Sequence, residues 1–85
     1  MQVVYVLKSL KDNNLYIGCT SDIEKRLSEH NSGKVGSTKG RIPFKLIYKE
    51  NYSDKYLAFD KERYYKTAKG KKELKNKIVN HCGIV

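Results

Sequence analysis

Several side chains in this sequence have types and spacings suited to chemistry. Arg26 and His30 stand one helical turn apart. His30 follows Ile23 by seven residues and Leu27 by three, close to the apolar stripe those two define, and Arg26 borders the same stripe. A guanidinium and an imidazole turned toward a core are costly unless they bind something. The ordinary alternative is a rim arginine and a hydrogen-bonded histidine. Glu62 lies four residues after Ala58 and three before Tyr65, a lone carboxylate on a face expected to meet the core. It suits either an ion pair with Lys66 at i+4 or a cation of the Mg2+ type, which keeps several waters and binds few carboxylates near phosphate.

There are seven tyrosines. Most strand tyrosines pack, but Tyr5 and Tyr16 fall on two strands expected to pair, which brings two hydroxyls to one sheet edge. A phenol acts as a general base only if nearby cations lower its pKa from about 10. Arg26 and a metal at Glu62 are expected to do so. The remaining group is basic. Lys61, Arg63, Lys66, Lys69, Lys71, Lys72, Lys75 and Lys77 face only Glu62 and Glu73 in their stretch, and Lys34, Lys39 and Arg41 lie in a glycine-containing segment. A charge run is usually a solvated helix face, but one-sided charge of this density would complement a phosphate backbone. Across the chain, 18 Lys and Arg stand against nine Asp and Glu, for a net charge of +9. Such an excess implies a polyanionic partner, most often nucleic acid.

The elements that must position these residues can be read in order. Val3–Leu7, apolar throughout, suits a strand covered on both faces. Lys11–Asn14 has turn chemistry, and Leu15–Thr20 reads as the hairpin partner. Ser21-Asp22-Ile23-Glu24 has the form of a capping box, so a helix is expected from there to Asn31-Ser32-Gly33. Residues 34–41 read as a mobile basic loop. Phe44–Tyr48 alternates, except at Ile47, as an edge strand would. Ser53 can cap a second helix with Leu57, Ala58, Tyr65 and Ala68 on its apolar face. Gly70 would end or bend it, and Lys71–Asn80 forms a short third helix. The expected fold is α/β of the α+β kind: a three-stranded antiparallel sheet flanked by helices in the order β-β-α-β-α-α.

With 85 residues the chain is expected to be a single domain, 1–85. Its charge-free runs are far short of the ~20 residues that cross a bilayer, and its first residues read as a strand and not a leader. A cytoplasmic protein with reduced Cys19 and Cys82 is expected, with no membrane partner, as a monomer or weak dimer. Rival sites are poorly supported. Cys19, His30, His81 and Cys82 lack zinc-finger spacing, no phosphate-binding glycine pattern occurs, and the acids form no tight cluster for a two-metal nuclease. His81 beside Cys82 is a poor nucleophile–base pair, because adjacent side chains rarely face each other.

The ordered set Val3-Val4-Tyr5-Val6-Leu7, Tyr16-Ile17-Gly18, Arg26-Leu27-Ser28-Glu29-His30-Asn31-Ser32-Gly33, Pro43 to Tyr48 and Ala58-Phe59-Asp60-Lys61-Glu62-Arg63 resembles the GIY-YIG nuclease superfamily. It is most similar to small stand-alone bacterial members related to the nuclease domain of the excision-repair endonuclease. The resemblance implies a metal-dependent endonuclease acting on DNA, with Mg2+ or Mn2+ as cofactor and a part in DNA repair. It implies that Tyr5 and Tyr16 are the two motif tyrosines and that Gly18 lets the backbone pass close to the site. Arg26 would contact the scissile phosphate, His30 would assist proton transfer, and Glu62 would be the single metal ligand. Val3-Val4 replaces the Gly-Ile of the first motif, and Asn76 or Asn80 would stand for the last-helix asparagine of larger members. Lys34, Lys39, Arg41, Arg63, Lys66, Lys69, Lys71 and Lys72 are the expected nucleic-acid contacts. The alternative is a non-catalytic DNA- or RNA-binding module on the same scaffold.

Overall fold

The computed structural model describes residues 2–82, with side chains described as far as Asn80. Strands β1 (Gln2–Ser9) and β2 (Leu15–Thr20) form a hairpin, and helix α1 (Ile23–Asn31) follows. A single 3-10 turn (Lys39–Arg41) leads into β3 (Phe44–Tyr52), and helices α2 (Lys55–Tyr65) and α3 (Ala68–Cys82) come last. The sheet order is β2-β1-β3, with both pairings antiparallel. This is the α+β arrangement β-β-α-β-α-α read from the sequence.

The central place of β1 explains its unbroken apolar run. Side chains of a strand alternate between faces, so a strand covered on both sides needs apolar residues at every position. Val3, Tyr5 and Leu7 pack with Phe44 in one layer, which Ile23 and Leu27 of α1 cover. Val4 and Val6 pack in the opposite layer with Ile17, Ala58, Tyr65 and Leu74, under α2 and α3. The irregularity at Ile47 is a bulge. Val6 faces Tyr48 but Leu7 faces Leu46, so Ile47 is the extra residue. The bulge reverses the parity of β3: Phe44 and Leu46 pack under α1, whereas Ile47, Tyr48 and Tyr52 pack under α2 and α3.

Local expectations are corrected at several points. The Ser21 capping box is not used. Asp22 caps α1, its carboxylate accepting the Lys25 N–H at 3.1 Å. Asp54, and not Ser53, caps α2 by accepting the Tyr56 N–H at 2.8 Å. In each case a carboxylate also complements the positive end of the helix dipole. Leu57 is exposed and Ala68 belongs to α3, so the buried face of α2 is carried by Ala58 and Tyr65. Gly70 neither ends nor bends α2, which stops at Tyr65. It lies in the first turn of α3, where a Cβ would overlap the Tyr64 carbonyl. That close approach lets α3 begin at Ala68 and not at Lys71. Residues 34–41 are not an open loop either, since Thr38 is fully buried and the 3-10 turn follows it. Among the described residues, Cys19 is a free thiol and no helix is long and apolar enough to cross a membrane. The His81–Cys82 pair and the thiol of Cys82 lie outside the described side chains.

Candidate active site

The β1–β2 register sets Tyr5 opposite Gly18. On one sheet face this stacks Tyr5, Gly18 and Tyr16, with the two phenol rings 6.4 Å apart. Gly18 is needed there: a Cβ would lie 2.5 Å from Tyr5 Cζ and nearer still to the hydroxyl. Helix α1 crosses the same face and delivers His30, which is completely buried. The Tyr5 hydroxyl lies 3.1 Å from His30 Nε2, and the imidazole ring sits 5.0 Å from Tyr16 and 5.8 Å from Phe44, edge to face. The other ring nitrogen, Nδ1, is 2.8 Å from the Thr38 hydroxyl. The position of α1 is fixed by Asn31. Its side-chain amide donates to the Phe44 carbonyl at 3.1 Å, and its side-chain oxygen accepts the Phe44 N–H at 2.6 Å.

Arg26 is half-exposed at the mouth of this cluster, with one ion pair to Glu29 at 3.4 Å. Its charge and hydrogen-bonding capacity act on the Tyr5 hydroxyl. The net effect on Tyr5 differs from expectation. Burial raises its pKa above the ordinary 10.0 and outweighs the lowering by Arg26, with Tyr16 and Glu62 adding to the rise. Tyr5 is therefore a phenol at neutral pH. His30 is pushed below 6.5, first by burial and then by the Arg26 charge, so it is a neutral imidazole.

Glu62 approaches from α2. Its charge raises both Tyr5 and Cys19, so it lies within electrostatic reach of both. Its Oε2 accepts from Lys66 Nζ at 2.9 Å, the i,i+4 pair open to it from the sequence, and its side chain keeps 22% of its exposure. Among the described residues there is no cluster of three or more His, Cys, Asp or Glu that could hold a metal ion. A solitary, accessible carboxylate does not make a zinc site. It does fit a hard cation that takes one protein oxygen and fills its shell with water and phosphate oxygens.

The basic residues divide into two groups. Lys34 and Lys39 are exposed beside α1, whereas Lys69, Lys71 and Lys72 are exposed on α3, across the sheet. Arg41 is engaged internally: Nε donates to Asp12 at 3.1 Å and the guanidinium lies over the Phe44 ring. Arg63 pairs with Asp60 at 2.7 Å on the exposed side of α2. Asn76 and Asn80 are both exposed on α3. Sequence reasoning passed over Thr38 and read Asn31 only as a stop signal. It also missed a cage around Glu50, which accepts from Tyr48 at 2.6 Å, Tyr52 at 2.7 Å, Tyr65 at 2.9 Å and Lys77 at 3.3 Å. No sequence spacing unites those residues, which come from β3, α2 and α3.

Two strand tyrosines stack over a glycine with a helix arginine and histidine beside them, and the GIY-YIG catalytic domain model matches residues 1–77. The chain belongs to the GIY-YIG superfamily. It is 42% identical to a UPF0213 protein of Staphylococcus haemolyticus over 85% of its own length and 88% of that protein. It is 46% identical to the UPF0213 protein YazA of Bacillus subtilis over 82% and 72% of the two chains. The solution structure of the UPF0213 protein BH0048 from Bacillus halodurans is similar, with a TM-score of 0.55 and 34% identity over 89% of this chain and 84% of that one.

Proposed function

We propose that the protein is a metal-dependent endonuclease that hydrolyses phosphodiester bonds in DNA. The observation that supports this most is the 3.1 Å approach of the Tyr5 hydroxyl to His30 Nε2, beside Arg26. A phenol of raised pKa and an imidazole of lowered pKa are not ionised at rest. They can still relay a proton in the transition state. The attacking water gives its proton to Tyr5 Oη as Tyr5 gives its own to His30 Nε2. The water oxygen bonds to phosphorus, the ester P–O bond breaks, and the leaving sugar oxygen takes a proton from solvent. His30 later returns its extra proton to solvent. Arg26 faces the phosphate oxygens as negative charge develops on them, and Tyr16 orients the phosphate or the water. Glu62 would hold Mg2+ or Mn2+, which when bound supplies positive charge to the phosphate and leaving oxygen.

The exposed lysines at both faces would hold the phosphate backbone with little sequence preference. Conversion of supercoiled plasmid to nicked circles in Mg2+ or Mn2+ tests the reading. Cleavage no greater than that of a Glu62→Ala control defeats it. A second reading, a non-catalytic nucleic-acid-binding module, draws on the Lys66 ammonium already seated on Glu62. Salt-sensitive binding without cleavage would favour that module. Competition among duplex DNA, single-stranded DNA and RNA would rank the substrates.

A further inference from the structure

We infer that Thr38 is a positioning residue for the reaction: its hydroxyl holds His30 in the Nδ1–H tautomer and leaves Nε2 unprotonated toward Tyr5. This rests on the nuclease reading of the same site and adds a part to it. Thr38 is the one buried residue in a segment, 34–41, whose other members are exposed or half-exposed. A buried hydroxyl in such a segment needs partners. Thr38 has two: its O–H donates to the Val35 carbonyl at 3.3 Å, and its oxygen lies 2.8 Å from His30 Nδ1. A hydroxyl has one hydrogen. If that hydrogen goes to Val35, whose carbonyl can only accept, the oxygen accepts in turn and Nδ1 donates.

A neutral imidazole carries one N–H, so Nε2 then presents a lone pair, and the group facing it at 3.1 Å is the Tyr5 O–H. Tyr5 donates, and of its two oxygen lone pairs one faces Arg26 and the other is left for the attacking water. The opposite tautomer would place Nε2–H against Tyr5 and give the phenol proton no acceptor, so the relay could not run. The backbone holds the hydroxyl in place. Thr38 N–H donates to Val35 O at 3.1 Å, and the 3-10 turn begins with Arg41 N–H donating to Thr38 O at 2.9 Å. When His30 takes the Tyr5 proton, Thr38 Oγ1 remains an acceptor and stabilises the imidazolium at Nδ1.

Histidine-selective 15N labelling of the full chain reads the tautomer directly, with His30→Gln assigning the two histidine rings. The expected result is Nδ1–H for His30 in the wild type, the reverse of the free imidazole preference. Thr38→Val should shift the ring toward Nε2–H, lower kcat about 10²-fold with KM little changed, and Thr38→Ser should restore both readouts. An Nε2–H ring in the wild type, or a Thr38→Val protein with unchanged kcat, overturns the inference. Should Thr38→Val fail to fold, the wild-type tautomer and the Thr38→Ser rate decide it. A wild type that cleaves nothing while its ring is Nδ1–H defeats the nuclease reading and the catalytic role, and leaves the tautomer assignment standing.

Discussion

Gly18 and Tyr5 face each other across the β1–β2 ladder, and the phenol lies where a side chain at residue 18 would begin. Gly18→Ala would put a methyl 2.5 Å from Tyr5 Cζ, a contact relieved only by moving the ring off His30. Overpacking of this kind costs about 1–3 kcal/mol. The variant should therefore remain folded and lose far more plasmid-nicking activity than stability. Urea titration and the nicking rate, measured on the same preparation, check this. An active variant would mean that the phenol is not held in place by the glycine.

The Glu50 cage has a separate role, in stability. Burial pushes the Glu50 carboxyl up, but the bonds from Tyr48, Tyr52 and Tyr65 and the Lys77 charge outweigh it and hold the group below its ordinary 4.5. In return burial, with Glu50, pushes the Tyr48 phenol up to about 12. A carboxyl depressed in the folded state stabilises the fold above its unfolded pKa. That contribution is lost as pH falls through the folded value. Wild-type stability should therefore hold above pH 4.5 and decline below it, and Glu50→Gln should flatten that decline. Glu50→Ala, which removes the acceptor shared by Tyr48, Tyr52, Tyr65 and Lys77, should cost about 3 kcal/mol at neutral pH. Denaturant titrations across pH 3–7 measure both effects.

The sequence conveyed periodicity well and local competition poorly. The apolar run Val3–Leu7 announced a doubly covered strand, whereas the lapse in alternation at Ile47 read only as an exception in an edge strand and proved to be a bulge. Adjacent candidate caps were harder to separate. Ser21 and Asp22, like Ser53 and Asp54, both have capping side chains, and the carboxylate took the position each time. Gly70 resembles a helix stop, yet its lack of a side chain serves the packing of α3 against Tyr64. The tyrosines, Arg26 and His30 could be named because helix spacing and strand pairing are local rules. Thr38 and Glu50 could not, because their partners depend on how distant segments fold against one another.

Arg26 and Glu62 carry the charge demands of the proposed reaction but little of the fold. Arg26 is half-exposed with one ion pair at 3.4 Å, and Glu62 pairs with an exposed lysine at 2.9 Å. Pairs of this kind contribute about 0–1 kcal/mol. Arg26→Ala and Glu62→Gln should unfold at nearly the wild-type denaturant concentration, yet each should slow cleavage roughly 10²-fold or more. Glu62→Gln should also blunt the response of the rate to added Mn2+. Rates within a few-fold of wild type would remove both residues from the reaction.

The two lysine groups, at opposite faces of the sheet, predict how binding responds to salt. Lys71 and Lys72 are exposed at the start of α3, and Lys34 and Lys39 are exposed near the end of α1. Each phosphate contact releases condensed counterions and adds about 0.9 to the slope of log K against log salt on duplex DNA. If one duplex meets both groups, Lys71→Ala with Lys72→Ala and Lys34→Ala with Lys39→Ala should each reduce the slope by about 1–2, and the losses should add. If DNA follows only the face that bears Tyr5 and Tyr16, the α3 pair will leave the slope unchanged while the pair beside α1 lowers it. Fluorescence anisotropy on a short duplex across a salt series distinguishes these outcomes. A slope unmoved by either pair would exclude both surfaces from the backbone contacts.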